Sequence, residues 1–214
     1  MSKLFLEVLD DSRRKIFLDL KKLSANGVLA GGTSIALQLK HRKSYDFDIF
    51  LFPPSEVGSK LFDKTLSFYG AARVKLIFQS LDELSLSVDD EIKISFVKFP
   101  FAPLHPSVET ETIPLLSLRD LASNKAYAIG RRPVFRDYVD LYFLFKNDVT
   151  DIKTVIEESR QRFQGAFNSR LFLEQLNYVS DLTDFTVEFI GNPVDLKEIS
   201  AYFSEITKSL LLTS

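Results

Sequence analysis

No cysteine occurs in the 214-residue chain, which excludes disulfide bridges and thiolate metal ligands and leaves the redox compartment open. Tryptophan is also absent, although 20 Phe and 7 Tyr supply aromatic area. The net charge is only −2, so global electrostatics gives no reason to expect bulk affinity for nucleic acid or an anionic membrane. With 27 Lys and Arg, a local basic patch is still open. No run approaches the roughly 18–20 apolar residues that span a bilayer. The first stretch, "MSKLFLEVLDDSRRK", carries acidic residues within its apolar part and reads as neither signal peptide nor anchor. A soluble, cytoplasmic protein without a membrane partner is expected. The only histidines, His41 and His105, have no partner at ligand spacing and read as structural or surface residues. Two standard phosphate-binding signatures are missing: no GK[ST] follows a glycine loop, and there is no G-x-G-x-x-G.

Hydrophobic residues make up 45% of the chain, enough for a sizeable core. The length suits one domain, or a domain with a helical extension. Residues 3–24 space Leu6, Leu9, Ile16, Leu20 and Leu23 mostly three or four apart, as one or two amphipathic helices do, with Asn26-Gly27 as the stop. "VLAGG" reads as a buried strand turning tightly, and "TSIALQLK" as a helix whose hydroxyl residues suit an N-cap. "SYDFDIFLF" alternates, with Tyr45, Phe47 and Ile49 on one side and Asp46 and Asp48 on the other. Pro53-Pro54 ends that strand. A helix over 58–70 and three strands in "ARVKLIFQS", "LSLSVDD" and "EIKISFVKF" follow, then a proline-marked crossing segment.

From Ser117 onward the pattern is helical, with Ser117 and Asp120 as a capping pair and Pro133 in the first turn of a second helix. Helices are predicted near 151–164, 169–179 and 194–211, and "DFTVEFIG" is open between loop and strand. Strands first and helices after them imply an α+β fold: a small mixed β-sheet flanked by helices over 1–116, and a helical C-terminal region over 117–214.

The stretch "GGTSIALQLKHRKSYDFDIF" concentrates the candidate chemistry. Residues two apart on a strand point the same way, about 6–7 Å apart, so Asp46 and Asp48 can converge on one hard cation such as Mg²⁺. Gly31 and Gly32 let backbone N–H groups approach phosphate oxygens, and the helix N-terminus with Thr33 and Ser34 adds donors. Alone, Gly-Gly after a strand is more often a simple turn, and Asp-x-Asp a solvated strand face. Together, with fourteen residues from Gly32 to Asp46, they are more specific.

At this point the chain resembles the AbiEii/AbiGii toxin family of nucleotidyltransferases, in the DNA polymerase beta-like superfamily. "AGGTSIALQLKHRKSYDFDIF" carries the first block, and "NKAYAIGRRPVFRDYVDLYFLF" is similar to the family's Lys-x-x-Ala-x-x-x-Arg followed by Asp-x-x-Asp-Leu. The resemblance implies a Mg²⁺- or Mn²⁺-dependent enzyme moving a nucleotidyl group from a nucleoside triphosphate (ATP, GTP or CTP) to an RNA, tRNA or protein acceptor. It also implies a toxin with a cognate antitoxin, and a helical region closing a cleft over the core. Gly31, Gly32 and Thr33 or Ser34 would hold phosphates, and Asp46 and Asp48 the metal. Lys125 would bind nucleotide charge, Arg132 matches the family arginine, and Asp137 and Asp140 would position Lys125 or the acceptor. An ordinary ion-paired helical hairpin accounts for the second block equally well on spacing alone.

One departure stands out. Active relatives in the superfamily usually carry a third carboxylate on a later strand, often as the base. Here Ser95 stands where it is expected, and a serine neither bridges cations nor acts as a base near neutral pH. Glu91 is on the same side but roughly 13 Å away along the strand. Either Asp137 supplies the base, or one metal is used, or catalysis is impaired. The last option leaves a nucleotide-binding or interaction protein on the same scaffold.

Overall fold

A computed structural model describes residues 3–23 and 27–212; the expected stop at Asn26 lies outside them. The chain forms two compact units, Met1–Ser117 and Leu118–Ser214.

In the first unit, α1 (Asp11–Leu23) buries Ile16, Phe17, Leu20 and Leu23, the three-to-four spacing seen in the sequence. The residues before it form a short 3-10 turn, Leu6–Val8, rather than a second α-helix. Next come β1 (Gly27–Ala30), α2 (Gly31–Leu39), β2 (Phe47–Leu51) and α3 (Ser59–Tyr69), then β3 (Val74–Gln79), β4 (Glu83–Val88) and β5 (Ile92–Lys98). The sheet order is β1-β2-β5-β4-β3, with β2 and β5 parallel and the other neighbours antiparallel. It is the small mixed sheet that the strand pattern predicts.

Register sorts the side chains by face, because residues paired across strands share a side. Leu29, Ile49, Phe96 and Leu84 form one row, and Phe47, Ile94 and Leu86 another; all seven are fully buried. Burying each such side chain contributes roughly 1.5–3 kcal/mol. The opposite face carries the row Ala30, Asp48, Ser95, Ser85. Tyr45 departs from the expected alternation. It precedes β2, is exposed, and lies under the Arg13 guanidinium, 5.0 Å from its ring.

The second unit holds α4 (Leu118–Ile129), α5 (Phe135–Lys146), α6 (Ile152–Phe163), α7 (Ser169–Asn177) and α8 (Leu196–Leu212). Asp151 caps α6 by accepting from Thr154 N at 2.8 Å, and Asn168 caps α7 by accepting from Leu171 N at 3.0 Å. α5 starts two residues beyond Pro133, whose carbonyl instead accepts from the backbone N and Oγ1 of Thr183. "DFTVEFIG" forms no regular strand; Phe189 within it is an isolated bridge residue, and Thr183 just before it bridges to Val134. Among the described residues no helix is long and apolar enough to cross a membrane.

A buried charge group pins α4 to α6. Arg162 Nη1 donates to the Asp120 carbonyl at 2.8 Å and to Ser123 Oγ at 2.9 Å, and lies 3.4 Å from Asp120 Oδ1. Asp120, in the first turn of α4, thus also faces Arg162. Burial pushes the guanidinium down to about 10, with Asp120 and Glu158 opposing, so it stays protonated at neutral pH. Asp120→Asn, which removes the countercharge and keeps the shape, is expected to cost about 1–3 kcal/mol, read from the urea midpoint.

Candidate active site

The site is built around the passage from β1 into α2, which takes a single residue. Ala30 is extended, Gly31 has φ +64°, and the helix begins on Gly31 itself. Ala30, at the N-cap position, supplies no side-chain cap. The first backbone N–H groups of α2 therefore present donors and the positive end of the helix dipole. The expected hydroxyl cap is not made. Thr33 and Ser34 are buried inside the helix, where Thr33 Oγ1 donates to the Asp46 carbonyl and lies 2.7 Å from Ser44 Oγ. Those bonds tie the segment leading into β2 onto α2. Ser34 sits beside Gln38, whose amide donates to the Ser34 and Leu116 carbonyls at 3.0 Å each.

Asp48 pairs with Ala30 across β1 and β2, and its carboxylate is pressed against the bend. A Cβ built on Gly31 would overlap Asp48 Oδ2 and lie 3.1 Å from Asp48 Cγ. Glycine is thus required twice, by its left-handed φ and by this approach. Gly31→Ala is expected to lower stability by about 1–2 kcal/mol and to displace the Asp48 carboxylate. A thermal melt of the variant beside the parent checks this, and an unchanged melting temperature would contradict it.

Asp46 is exposed, one residue ahead of β2. Its segment is also held from α1. Arg13 is buried, donates through Nε to the Tyr45 carbonyl at 2.9 Å, and donates through Nη2 to the Glu91 carbonyl at 3.2 Å. Arg13 was not singled out from sequence, though its place three residues before Ile16 puts it on the apolar face of α1.

On β5, Ser95 pairs directly with Asp48 and is buried. Its Oγ lies 2.8 Å from Ser85 Oγ on β4, and Ser85 donates to Glu83 Oε1 at 2.7 Å. Glu91, weighed above as a substitute, sits exposed in the turn before β5. Among the described residues no three His, Asp or Glu side chains are gathered to hold a metal. A two-carboxylate set still fits Mg²⁺, which commonly takes one or two protein carboxylates and fills its octahedron with phosphate oxygens and water. The Asp48 carboxylate at the N-terminus of α2 is one such ligand, and Asp46 two residues earlier is the second carboxylate that would complete the set.

The second unit carries the other sequence block. Lys125 Nζ on α4 lies 2.7 Å from Asp137 Oδ1 and 2.7 Å from Asp140 Oδ2 on α5. Arg132 Nε reaches Asp137 Oδ2 at 2.9 Å and its Nη2 reaches Oδ1 at 3.3 Å. Lys125, Asp137 and Asp140 are buried, whereas the Arg132 side chain is 59% exposed. The structure thus brings all four residues together. Both Asp137 oxygens accept from cations, an arrangement that orients Lys125 and Arg132. Arg131 and Arg136 are paired at the surface, with the Ala166 carbonyl and Asp184 respectively, both at 2.6 Å.

The mixed sheet, the glycine bend opening α2 and the acidic strand behind it define a nucleotidyltransferase fold. Among solved structures the chain is similar to MenT4, a nucleotidyltransferase toxin of Mycobacterium tuberculosis H37Rv, with TM-score 0.61 and 15% identity over 90% of this chain and 80% of that one. It is also similar to JHP933 from Helicobacter pylori, with TM-score 0.55 and 15% identity over 96% of each. At such identities the likeness is one of fold. Residues 17–209 match the model of the nucleotidyl transferase AbiEii toxin family of type IV toxin–antitoxin systems, and the chain belongs to that family. Within sequence reach is aq_aa25 of Aquifex aeolicus (strain VF5), 28% identical over 185 residues that cover 86% of this chain and 87% of the relative.

Proposed function

We propose that the protein transfers a nucleoside monophosphate from a nucleoside triphosphate to a hydroxyl of an RNA, tRNA or protein acceptor, as a cytoplasmic toxin restrained by an antitoxin. One observation carries this most: the Asp48 carboxylate lies against the Gly31 bend at the N-terminus of α2. The N–H groups of that turn are suited to phosphate oxygens, and Asp46 and Asp48 are the residues that would hold a Mg²⁺ or Mn²⁺ ion. When bound, such an ion neutralises charge developing on the phosphates. Lys125 and Arg132 are the cations assigned to nucleotide charge, with Asp137 and Asp140 fixing Lys125. Attack by the acceptor oxygen on the α-phosphorus, with pyrophosphate leaving, depends mainly on positioning and electrostatic stabilisation.

Ser95 beside Asp48 favours a second possibility, a protein that binds nucleotide without turnover. Incubation with each α-labelled triphosphate, Mg²⁺ and total cellular RNA or protein separates the two. Label on the acceptor supports transfer, whereas calorimetric nucleotide binding with no labelled acceptor supports the binding-only protein. Neither binding nor label would reject both.

A further inference from the structure

We propose that the carboxylate missing beside Asp48 is replaced from the neighbouring strand: Glu83 takes up the proton of the attacking hydroxyl through a relay of Ser95 and Ser85. This presupposes the transferase activity proposed above.

The register places Asp48, Ser95 and Ser85 side by side across β2, β5 and β4, all on one face of the sheet. Each serine has one proton to donate. Ser85 gives its proton to Glu83 Oε1 at 2.7 Å, so in the 2.8 Å contact between the serines Ser95 is the donor. That polarity runs from the Asp48 side toward Glu83 and leaves Ser95 Oγ as an acceptor next to Asp48. Both serines are buried, where chained hydrogen bonds reinforce one another. Glu83 itself is only half-buried, so a proton delivered to it has a route to water. Neither serine is a base by itself, but each can pass a proton on while receiving one.

The step balances. The acceptor's hydroxyl proton goes to Ser95 Oγ, the Ser95 proton to Ser85 Oγ, and the Ser85 proton to the Glu83 carboxylate, which becomes a neutral acid. The acceptor oxygen bonds to the α-phosphorus, and the bond to the bridging oxygen breaks with its electron pair leaving on pyrophosphate. Glu83 is thus a positioning and proton-storing residue that touches no substrate. Along β4, alternation puts Glu83 and Ser85 on one side of the strand.

The test follows transfer from an α-labelled triphosphate to total cellular RNA or protein by the full chain. Glu83→Gln keeps an acceptor oxygen for Ser85 but cannot take a proton at neutral pH. It is expected to lower kcat by about 10²–10³-fold with the KM for the triphosphate within about twofold of the parent. Ser85→Ala should do the same by interrupting the relay. Adding Ser95→Asp to Glu83→Gln, which puts a carboxylate beside Asp48, should recover most of the lost rate. Transfer by Glu83→Gln at the parental rate overturns the relay and leaves the transferase assignment standing. A parallel loss of kcat, KM and melting temperature, without recovery by Ser95→Asp, overturns it in favour of a structural role. A parent protein that labels no acceptor removes the transferase assignment, and the relay with it.

Discussion

Asp48→Asn is expected to lower nucleotidyl transfer by about 10³-fold or more while leaving the melting temperature within a few degrees. Asparagine keeps the shape that packs against Gly31 and the pairing with Ala30 and Ser95, so the sheet has little reason to yield. What it removes is the negative charge at the mouth of α2. A bound cation's contribution to charge stabilisation in such a site is several kcal/mol, and each 1.36 kcal/mol is tenfold in rate, which sets the expected size. Initial rates with saturating triphosphate, taken beside a thermal melt, check it. A variant that transfers within tenfold of the parent would show that the carboxylate at the glycine bend is not the group that handles the phosphates.

The second large effect concerns stability. Lys125→Ala leaves Asp140 and Asp137 without the ammonium that lies 2.7 Å from each. Arg132 still reaches Asp137, but from a largely exposed position. Breaking a buried ion group by deleting one partner typically costs about 3–5 kcal/mol, because uncompensated charge stays behind. The urea midpoint should fall accordingly. The double change Lys125→Met with Asp140→Leu should recover much of the loss, since replacing a buried pair by packed apolar groups is often close to neutral. Triphosphate binding by that recovered variant then separates the two roles of Lys125. Retained affinity would make the lysine purely structural, and lost affinity at restored stability would make it a nucleotide ligand. If Lys125→Ala melts like the parent, the buried cluster does not brace α4 against α5.

Much of the architecture was legible because its signals are local. The strands were set by the period-two burial of Phe47, Ile49 and Leu51 and of Ile92, Ile94 and Phe96, and the helices by stripes such as Ile16, Leu20 and Leu23. The Gly31–Asp48 approach was foreseeable in kind, since Gly-Gly and Asp-x-Asp suggested facing elements, although the contact depends on long-range register. The hydroxyls of Thr33 and Ser34 suit caps by type but lie inside the helix, because α2 starts on Gly31, which sequence alone does not reveal. Two buried cations, Arg13 and Arg162, escaped notice for a related reason. Each is held by carbonyls distant in the chain, Glu91 in one case and Asp120 in the other. The Ser95–Ser85–Glu83 row depends on antiparallel pairing that only the fold reveals.

Paired incubations with α- and γ-labelled triphosphate, comparing the parent chain with the Asp46→Asn/Asp48→Asn variant, test the assigned chemistry most directly. The parent should place α-label on an RNA or protein acceptor and release γ-label as pyrophosphate, and the variant should do neither. Acceptors that carry γ-label, or α-label transferred equally by the variant, would contradict it.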